Sequence, residues 1–228
     1  MLRAALALSL GLAAPAQACL HDAMVVMDAS ASMERLVYGT DVTRMEDGRA
    51  AMRRALPRLT ETRRIGLVTY GPGGSQSCDS VALRVPPTTD PAPLLAVIAE
   101  TEPGGSTPLV SAVQHAAEAL RYRTEAATIV LVTDGNDTCG GTPCAAGTRL
   151  AAEGADLTVH VIGFHYARHL SFIDRSSNGI SYDSVARCLA VRTGGQYVTA
   201  RDADGLVDAL SRTLGCVLGG RARTGPVG

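Results

Sequence analysis

Three short segments, far apart in the chain, concentrate side-chain oxygen. Asp28-Ala-Ser30-Ala-Ser32 follows an apolar run, Thr107 lies in Gly104-Gly105-Ser106-Thr107-Pro108, and Asp134 lies in Thr133-Asp134-Gly135. Two carboxylates and three hydroxyls form an all-oxygen donor set, the kind that hard divalent cations prefer. No thiol or imidazole belongs to it, which argues against zinc. Two carboxylates crowded together without a cation repel, and at least one titrates abnormally. A dication removes that conflict, and an octahedral ion with few protein donors keeps places for water or for an outside carboxylate. Each fragment alone is a weak signal, because turns and helix caps use the same residues.

The elements around these segments place them. Short apolar runs at 23–27, 65–70, 80–85, 128–133, 157–164 and 196–199 lack strict alternation, as strands covered on both faces do. Between them, Met52, Ala55, Leu56 and Leu59 recur at helical spacing, as do Val113, Ala116, Ala117 and Leu120. Asp90-Pro91, Thr107-Pro108 and Thr142-Pro143 each put a capping residue before a proline at a helix start, and 203–214 reads as a last helix. Alternation of this kind predicts an α/β fold: a doubly wound, mostly parallel six-stranded sheet with helices on both faces. The Gly/Ser-rich stretch 71–77 is too short for a crossover helix, so strands 2 and 3 should form an antiparallel hairpin with strand 3 on an edge. With strand order 3-2-1-4-5-6, strands 1 and 4 are neighbours where the order reverses, and Asp28 and Asp134 face each other across the crevice where such sheets bind ligands.

The set resembles the metal-ion-dependent adhesion site of von Willebrand factor A (vWA) domains. That motif is Asp-x-Ser-x-Ser, a distant Thr, and a distant Asp in a Thr-Asp-Gly turn, and it is matched at Asp28, Ser30, Ser32, Thr107 and Asp134. The resemblance covers roughly residues 20–216. It implies that the hydroxyls of Ser30, Ser32 and Thr107 touch the ion, and that the aspartates act directly or through water. It implies Mg²⁺, with Mn²⁺ or Ca²⁺ as substitutes, and a protein partner whose acidic side chain completes the shell. Two connections, 34–46 and 165–181, are longer than the family's plain version and leave the same face, where both could shape partner choice.

The resemblance implies a binding module and not an enzyme, and the sequence lacks a Gly-x-Ser-x-Gly elbow, a His-Glu-x-x-His pair, a phosphate loop and a dinucleotide fingerprint. Two alternatives stay open: a phosphatase-like metal-dependent hydrolase, and a vWA domain whose metal is purely structural. Asp28 sits where haloacid-dehalogenase-type enzymes keep a nucleophile, but the second Asp they need is Ser30 here. Asp134-x-Asn136-x-Thr138 is no calcium loop, because Cys139 stands where the glycine belongs. His160, His165 and His169 could form a second metal site only if a helix joined the last two. A net charge of −1 with no basic run argues against nucleic acid, and no apolar stretch long enough to span a membrane follows the N-terminus.

Residues 1–18 read as a signal peptide: Arg3, the apolar stretch 4–14, and Ala16-Gln17-Ala18 as a cleavage site. The vWA domain then covers 19–217, and 218–228 is a tail. This order predicts a periplasmic or secreted protein. A lipoprotein modified at Cys19 is disfavoured, because Ala16 replaces the usual leucine and six cysteines form an even set. Cys19 and Cys216 should meet at the end of the domain opposite the candidate site. Cys139–Cys144 with Cys78–Cys188 completes one connectivity, and Cys78–Cys139 with Cys144–Cys188 is the alternative. Mass spectrometry of the exported protein should find Cys19 at its N-terminus; a mature chain retaining residues 1–18 would contradict the cleavage reading.

Overall fold

The structure, a computed structural model, describes residues 21–74, 76–164 and 183–215. The expected signal peptide and tail, Cys19, Cys216, His165, His169 and the connection 165–181 lie outside the described residues.

Six strands form one sheet in the order β3-β2-β1-β4-β5-β6. The strands are β1 Ala23–Asp28, β2 Ile65–Tyr70, β3 Val81–Thr88, β4 Ala126–Thr133, β5 Asp156–Phe164 and β6 Tyr197–Ala200. All neighbours are parallel except β2 and β3, which run antiparallel with an irregular register near Leu67. The sheet is therefore the doubly wound, mixed one expected, with β3 at an edge. That edge carries Pro86 and Pro87 inside β3, so the strand runs past the expected 80–85. Proline cannot donate to a ladder, and an edge strand tolerates it.

Among the described residues six α-helices cover the sheet: α1 Arg44–Thr60, α2 Pro91–Glu100, α3 Leu109–Ala119, α4 Pro143–Glu153, α5 Asp183–Arg192 and α6 Ala203–Leu214. They divide between two cores. Val25 and Met27 of β1 pack with α1, α2 and α6, whereas Met24 and Val26 pack with α3, α4 and α5. Side chains alternate faces along a strand, so a strand buried at every position (β1 is one) needs a helical layer on each side. That requirement puts β1 and β4 in the middle and brings their carboxyl ends together.

Local chemistry sets several helix starts. Asp90 caps α2 by accepting from the Ala92 N–H at 2.9 Å, and Asp202 caps α6 by accepting from the Gly205 N–H at 2.7 Å. Thr43 and Glu46 form a reciprocal capping box at the start of α1. The expectation at Thr107 needs correction: α3 begins at Leu109, and the Thr107 side chain does not cap it. The connection 34–46 is also ordered, as a 3₁₀ turn over Ala31–Glu34 followed by a small hairpin that bridges Leu36 and Thr43.

The disulfides follow the alternative connectivity. Cys78 bonds Cys139 and Cys144 bonds Cys188, with Cα separations of 5.7 and 5.0 Å; Cys139–Cys144 and Cys78–Cys188 do not form. The reason is topological. The β2–β3 and β4–α4 loops leave the same end of the sheet, so Cys78 and Cys139 meet there. Cys144 sits in the first turn of α4, which packs against α5 and its Cys188. Gly147 permits the close approach of these helices, since a Cβ there would come within 3.2 Å of the Leu189 Cα.

His160 on β5 accepts a hydrogen bond from the Gln196 N–H at its Nδ1, 3.1 Å away. Burial first, then the nearby Arg63 guanidinium, hold its imidazole below the ordinary histidine value of 6.5. The unfolded chain therefore takes up a proton at a higher pH than the folded one does. This contribution is present above pH 6.5 and is lost as pH falls below it. Calorimetry should show the melting temperature dropping between about pH 7 and about pH 5, with a shallower slope in His160→Asn; an unchanged slope would contradict this role.

Candidate metal centre

Asp28 ends β1 beside Tyr70 of β2, in register. Its carboxylate has no exposed surface. Oδ1 accepts from the Ser30 N–H at 2.8 Å, and Oδ2 accepts from the Thr133 hydroxyl at 2.8 Å. The buried Tyr70 hydroxyl lies beside Asp28 and Thr133 without closing a hydrogen bond of ordinary geometry. Asp28 makes no ion pair among the described residues. Burial, and then the charge of Asp134, push its pKa up, against the hydrogen bonding from Ser30 that pulls it down.

Asp134 follows β4. Its Oδ1 accepts from the Ser32 hydroxyl at 2.6 Å, and its Oδ2 pairs with Arg44 Nη1 at 2.5 Å. The Ser30 and Ser32 hydroxyls are 3.0 Å apart. Arg44 is the first residue of α1, so the capping box at Thr43 also fixes where this guanidinium enters.

The Thr107 loop is strapped to the Asp28 loop through backbone. The Gly104 N–H donates to the Ala29 carbonyl at 3.1 Å, and the Ala31 N–H donates to the Gly105 carbonyl at 3.0 Å. A second strap joins it to the Asp134 loop. The Thr107 N–H donates to the Thr138 hydroxyl at 2.8 Å, and the Thr138 N–H donates to the Thr107 carbonyl at 3.0 Å. Arg49 of α1 donates to the Ile98 and Thr101 carbonyls at the end of α2, which anchors the approach to this loop. All five predicted residues thus converge: Ser30, Ser32, Thr107 and Asp134 line one groove of about 650 Å³, and Asp28 lies beneath it.

The chemistry of this set fits a hard cation. It combines a buried carboxylate lacking a counter-charge with a Thr107 side chain, on a residue only 6% exposed, whose hydroxyl makes no hydrogen bond among the described residues. Two serine hydroxyls and a second carboxylate stand beside them. Among the described residues, no group of three His, Cys, Asp or Glu side chains offers a rival site; His160 is spent on the Gln196 amide.

Three structural residues escaped the sequence reading. Asp137 gathers three backbone donors: the Val110 N–H at the start of α3 on Oδ2, and the Cys139 and Gly141 N–H groups on Oδ1, all within 2.9 Å. It does for α3 what Thr107 was expected to do. Its partner is 27 residues away, beyond any local cap signal. Gly71 has φ +74, and a Cβ there would meet the Ser106 carbonyl at 2.6 Å and the Ser30 backbone at 2.9 Å. It lets the loops of Ser30 and Thr107 close over β2. Arg44 had a local signal, since Thr43-x-x-Glu46 marks a helix start, but nothing local points it at Asp134.

The family model for the von Willebrand factor type A domain matches residues 23–136, a span that includes all five candidate ligands. The uncharacterised protein YwmD of Bacillus subtilis (strain 168) is 29% identical over 109 residues, or 47% of this chain and 43% of that protein. The chain thus spans less than half of that relative. The solved VWA domain of SpRpn10 superposes with a TM-score of 0.62 at 15% identity, over 89% of this chain and 99% of its own. An aerotolerance-related membrane protein from Bacteroides fragilis NCTC 9343, in a variant with multiple mutations to serine, gives 0.60 at 19% identity, over 85% and 98%. At such identities the likeness concerns the fold.

Removing the Asp137 carboxylate strands three backbone donors, so Asp137→Ala should cost roughly 2–3 kcal/mol in denaturant unfolding. Gly71→Ala should also destabilise, through both strain and collision. A stability change below about 0.5 kcal/mol in Asp137→Ala would show that it does not hold the loops.

Proposed function

The chain belongs to the von Willebrand factor type A domain family, whose members are general adhesion and interaction modules, and on that premise we propose that it captures an acidic side chain of a protein partner through a divalent cation. Asp28, Ser30, Ser32, Thr107 and Asp134 would hold the ion, Mg²⁺ first and Mn²⁺ or Ca²⁺ by the same oxygen chemistry. The observation that carries this reading is the Asp28 carboxylate, fully buried and without a cationic partner among the described residues. An unpaired buried charge is costly, and hydroxyls from its own loop and from the Thr107 loop surround the place where a cation would cancel it. When bound, the ion supplies a Lewis-acidic position that an outside carboxylate can fill.

The groove supports binding more than turnover. Its lining offers hydroxyl, amide and guanidinium groups, and one carboxylate already paired with Arg44. Among the described residues it presents no imidazole or thiol to act as base or nucleophile. We also propose that the protein is exported to the periplasm or beyond. Two disulfides suit an oxidising compartment, and the sequence of residues 1–18 fits a cleaved leader. No described helix is long and apolar enough to cross a membrane.

Arg44 adds a specific electrostatic consequence. Its guanidinium already neutralises part of Asp134, so a divalent ion must share that carboxylate with a tethered positive charge. Calorimetric titration with Mn²⁺ should show one site in the wild type and none in Asp28→Ala. Arg44→Gln should bind Mn²⁺ more tightly, on the order of tenfold. No Mn²⁺ uptake by the folded wild type would refute the proposal.

A further inference from the structure

The ordered hairpin at 35–43 stands beside the candidate metal groove and has an unusual surface. Its backbone is closed by three bonds: the Val37 N–H to the Val42 carbonyl at 2.8 Å, the Arg44 N–H to the Arg35 carbonyl at 3.0 Å, and the Thr40 N–H to the Val37 carbonyl at 3.0 Å. Gly39, at φ +79, makes the turn. Val37 packs against the core and roots the hairpin. The neighbouring side chains do the opposite: Leu36 is 57% exposed, Tyr38 78% and Val42 42%. Only two other large apolar side chains among the described residues are comparably exposed, Leu83 on β3 and Val191 on α5. A lone exposed leucine is ordinary. Leu36 and Tyr38, two residues apart on one face of the hairpin and in the wall of a groove, mark a contact surface.

The hairpin walls a groove of about 600 Å³ lined by Arg35, Leu36, Val37, Tyr38 and Arg44, among others. Arg35 and Arg44 also line the metal groove, so the two grooves adjoin at these basic side chains. Arg35 makes no ion pair among the described residues. An apolar floor meeting a basic junction is complementary to an acidic residue with a large apolar neighbour. Shared lining limits how far apart those two partner residues can be. The two partner residues are therefore near neighbours in one segment.

We infer that the 35–43 hairpin is the second half of the partner-binding surface, and that the partner is an extended peptide segment carrying an Asp or Glu close in sequence to a large aliphatic or aromatic side chain. This rests on the acid-capture reading of the metal groove and adds the specificity element to it. The metal site alone recognises any carboxylate. The hairpin selects among carboxylates by what stands next to them, with Tyr38 and Leu36 covering the apolar neighbour and Arg35 facing the acid's flank. Tyrosine and arginine are the residue types that contribute most at such contacts.

The test is selection of a phage-displayed library of random heptapeptides on the whole mature protein, in magnesium and in chelator, against the wild type and the Leu36→Ser/Tyr38→Ser double variant. Both substituted side chains are exposed, so the variant keeps its core, and a melting temperature within about 2 °C of wild type checks this. Chelator-sensitive wild-type clones are expected to pair Asp or Glu with a nearby large apolar residue. Their recovery on the double variant should fall at least about tenfold, while its Mn²⁺ titration stays as in the wild type. Chelator-sensitive clones that carry an acid, show no apolar preference and bind both proteins equally would overturn the hairpin's role and leave the metal reading standing. Chelator-sensitive clones absent altogether, with no Mn²⁺ uptake, would overturn both. If sedimentation shows a wild-type dimer that the double variant loses, with peptide recovery unaltered, the patch is a contact between copies and the proposal fails.

Discussion

Burying a carboxylate between the ends of two parallel strands sets the terms for everything around it. Asp28 has no solvent and no counter-ion among the described residues, so the protein must stabilise it by other means. It does so with the Ser30 amide and the Thr133 hydroxyl, one on each oxygen. The neighbouring Asp134 adds a second negative charge, and there the answer differs. Arg44 is drawn in from α1, and Ser32 occupies the other oxygen. One carboxylate is neutralised by an internal cation and the other is held by dipoles alone. That asymmetry separates this centre from an ordinary surface ion pair, and it is the ground on which we propose a role for a cation supplied from outside.

Holding the donors in place is a matter of stitching loops together. The sheet brings the ends of β1 and β4 side by side, but loops leaving a sheet are free to splay. Here they form a closed circuit. The Asp28 loop bonds the Thr107 loop through Ala29, Ala31, Gly104 and Gly105, and the Thr107 loop bonds the Asp134 loop through Thr138. Ser32 then donates from the Asp28 loop to Asp134, and Thr133 donates from the Asp134 side back to Asp28. Asp137 and the Cys78–Cys139 disulfide brace the outside of the circuit. A site built this way is preorganised, so an ion entering it would impose little further ordering cost.

Much of this was legible in the chain because it follows from periodicity and residue type. The apolar runs marked the strands, since strands covered on both faces have no polar side to interrupt them. The five oxygen donors were visible because their types suit one chemistry and their places fall at strand ends. What escaped depends on contacts between distant segments. The cysteine pairing turns on α4 lying against α5 at Gly147, which spacing cannot reveal. Asp137 reads as a loop acid until α3 is laid beside it. Thr107 carried a cap signal that the fold overrode, because the loop strap to Thr138 holds its backbone and Asp137 serves the helix. The hairpin at 35–43 was legible only as a long connection, although Thr43-x-x-Glu46 already marked where it ends.

The most direct measurement is anomalous diffraction from crystals of the mature protein grown with Mn²⁺. The account predicts a single strong anomalous peak between the Asp28 and Asp134 loops, within about 2.0–2.4 Å of the Ser30 and Ser32 hydroxyl oxygens. A fully occupied metal position elsewhere, or a crystal grown in excess Mn²⁺ with no peak at that place, would contradict it.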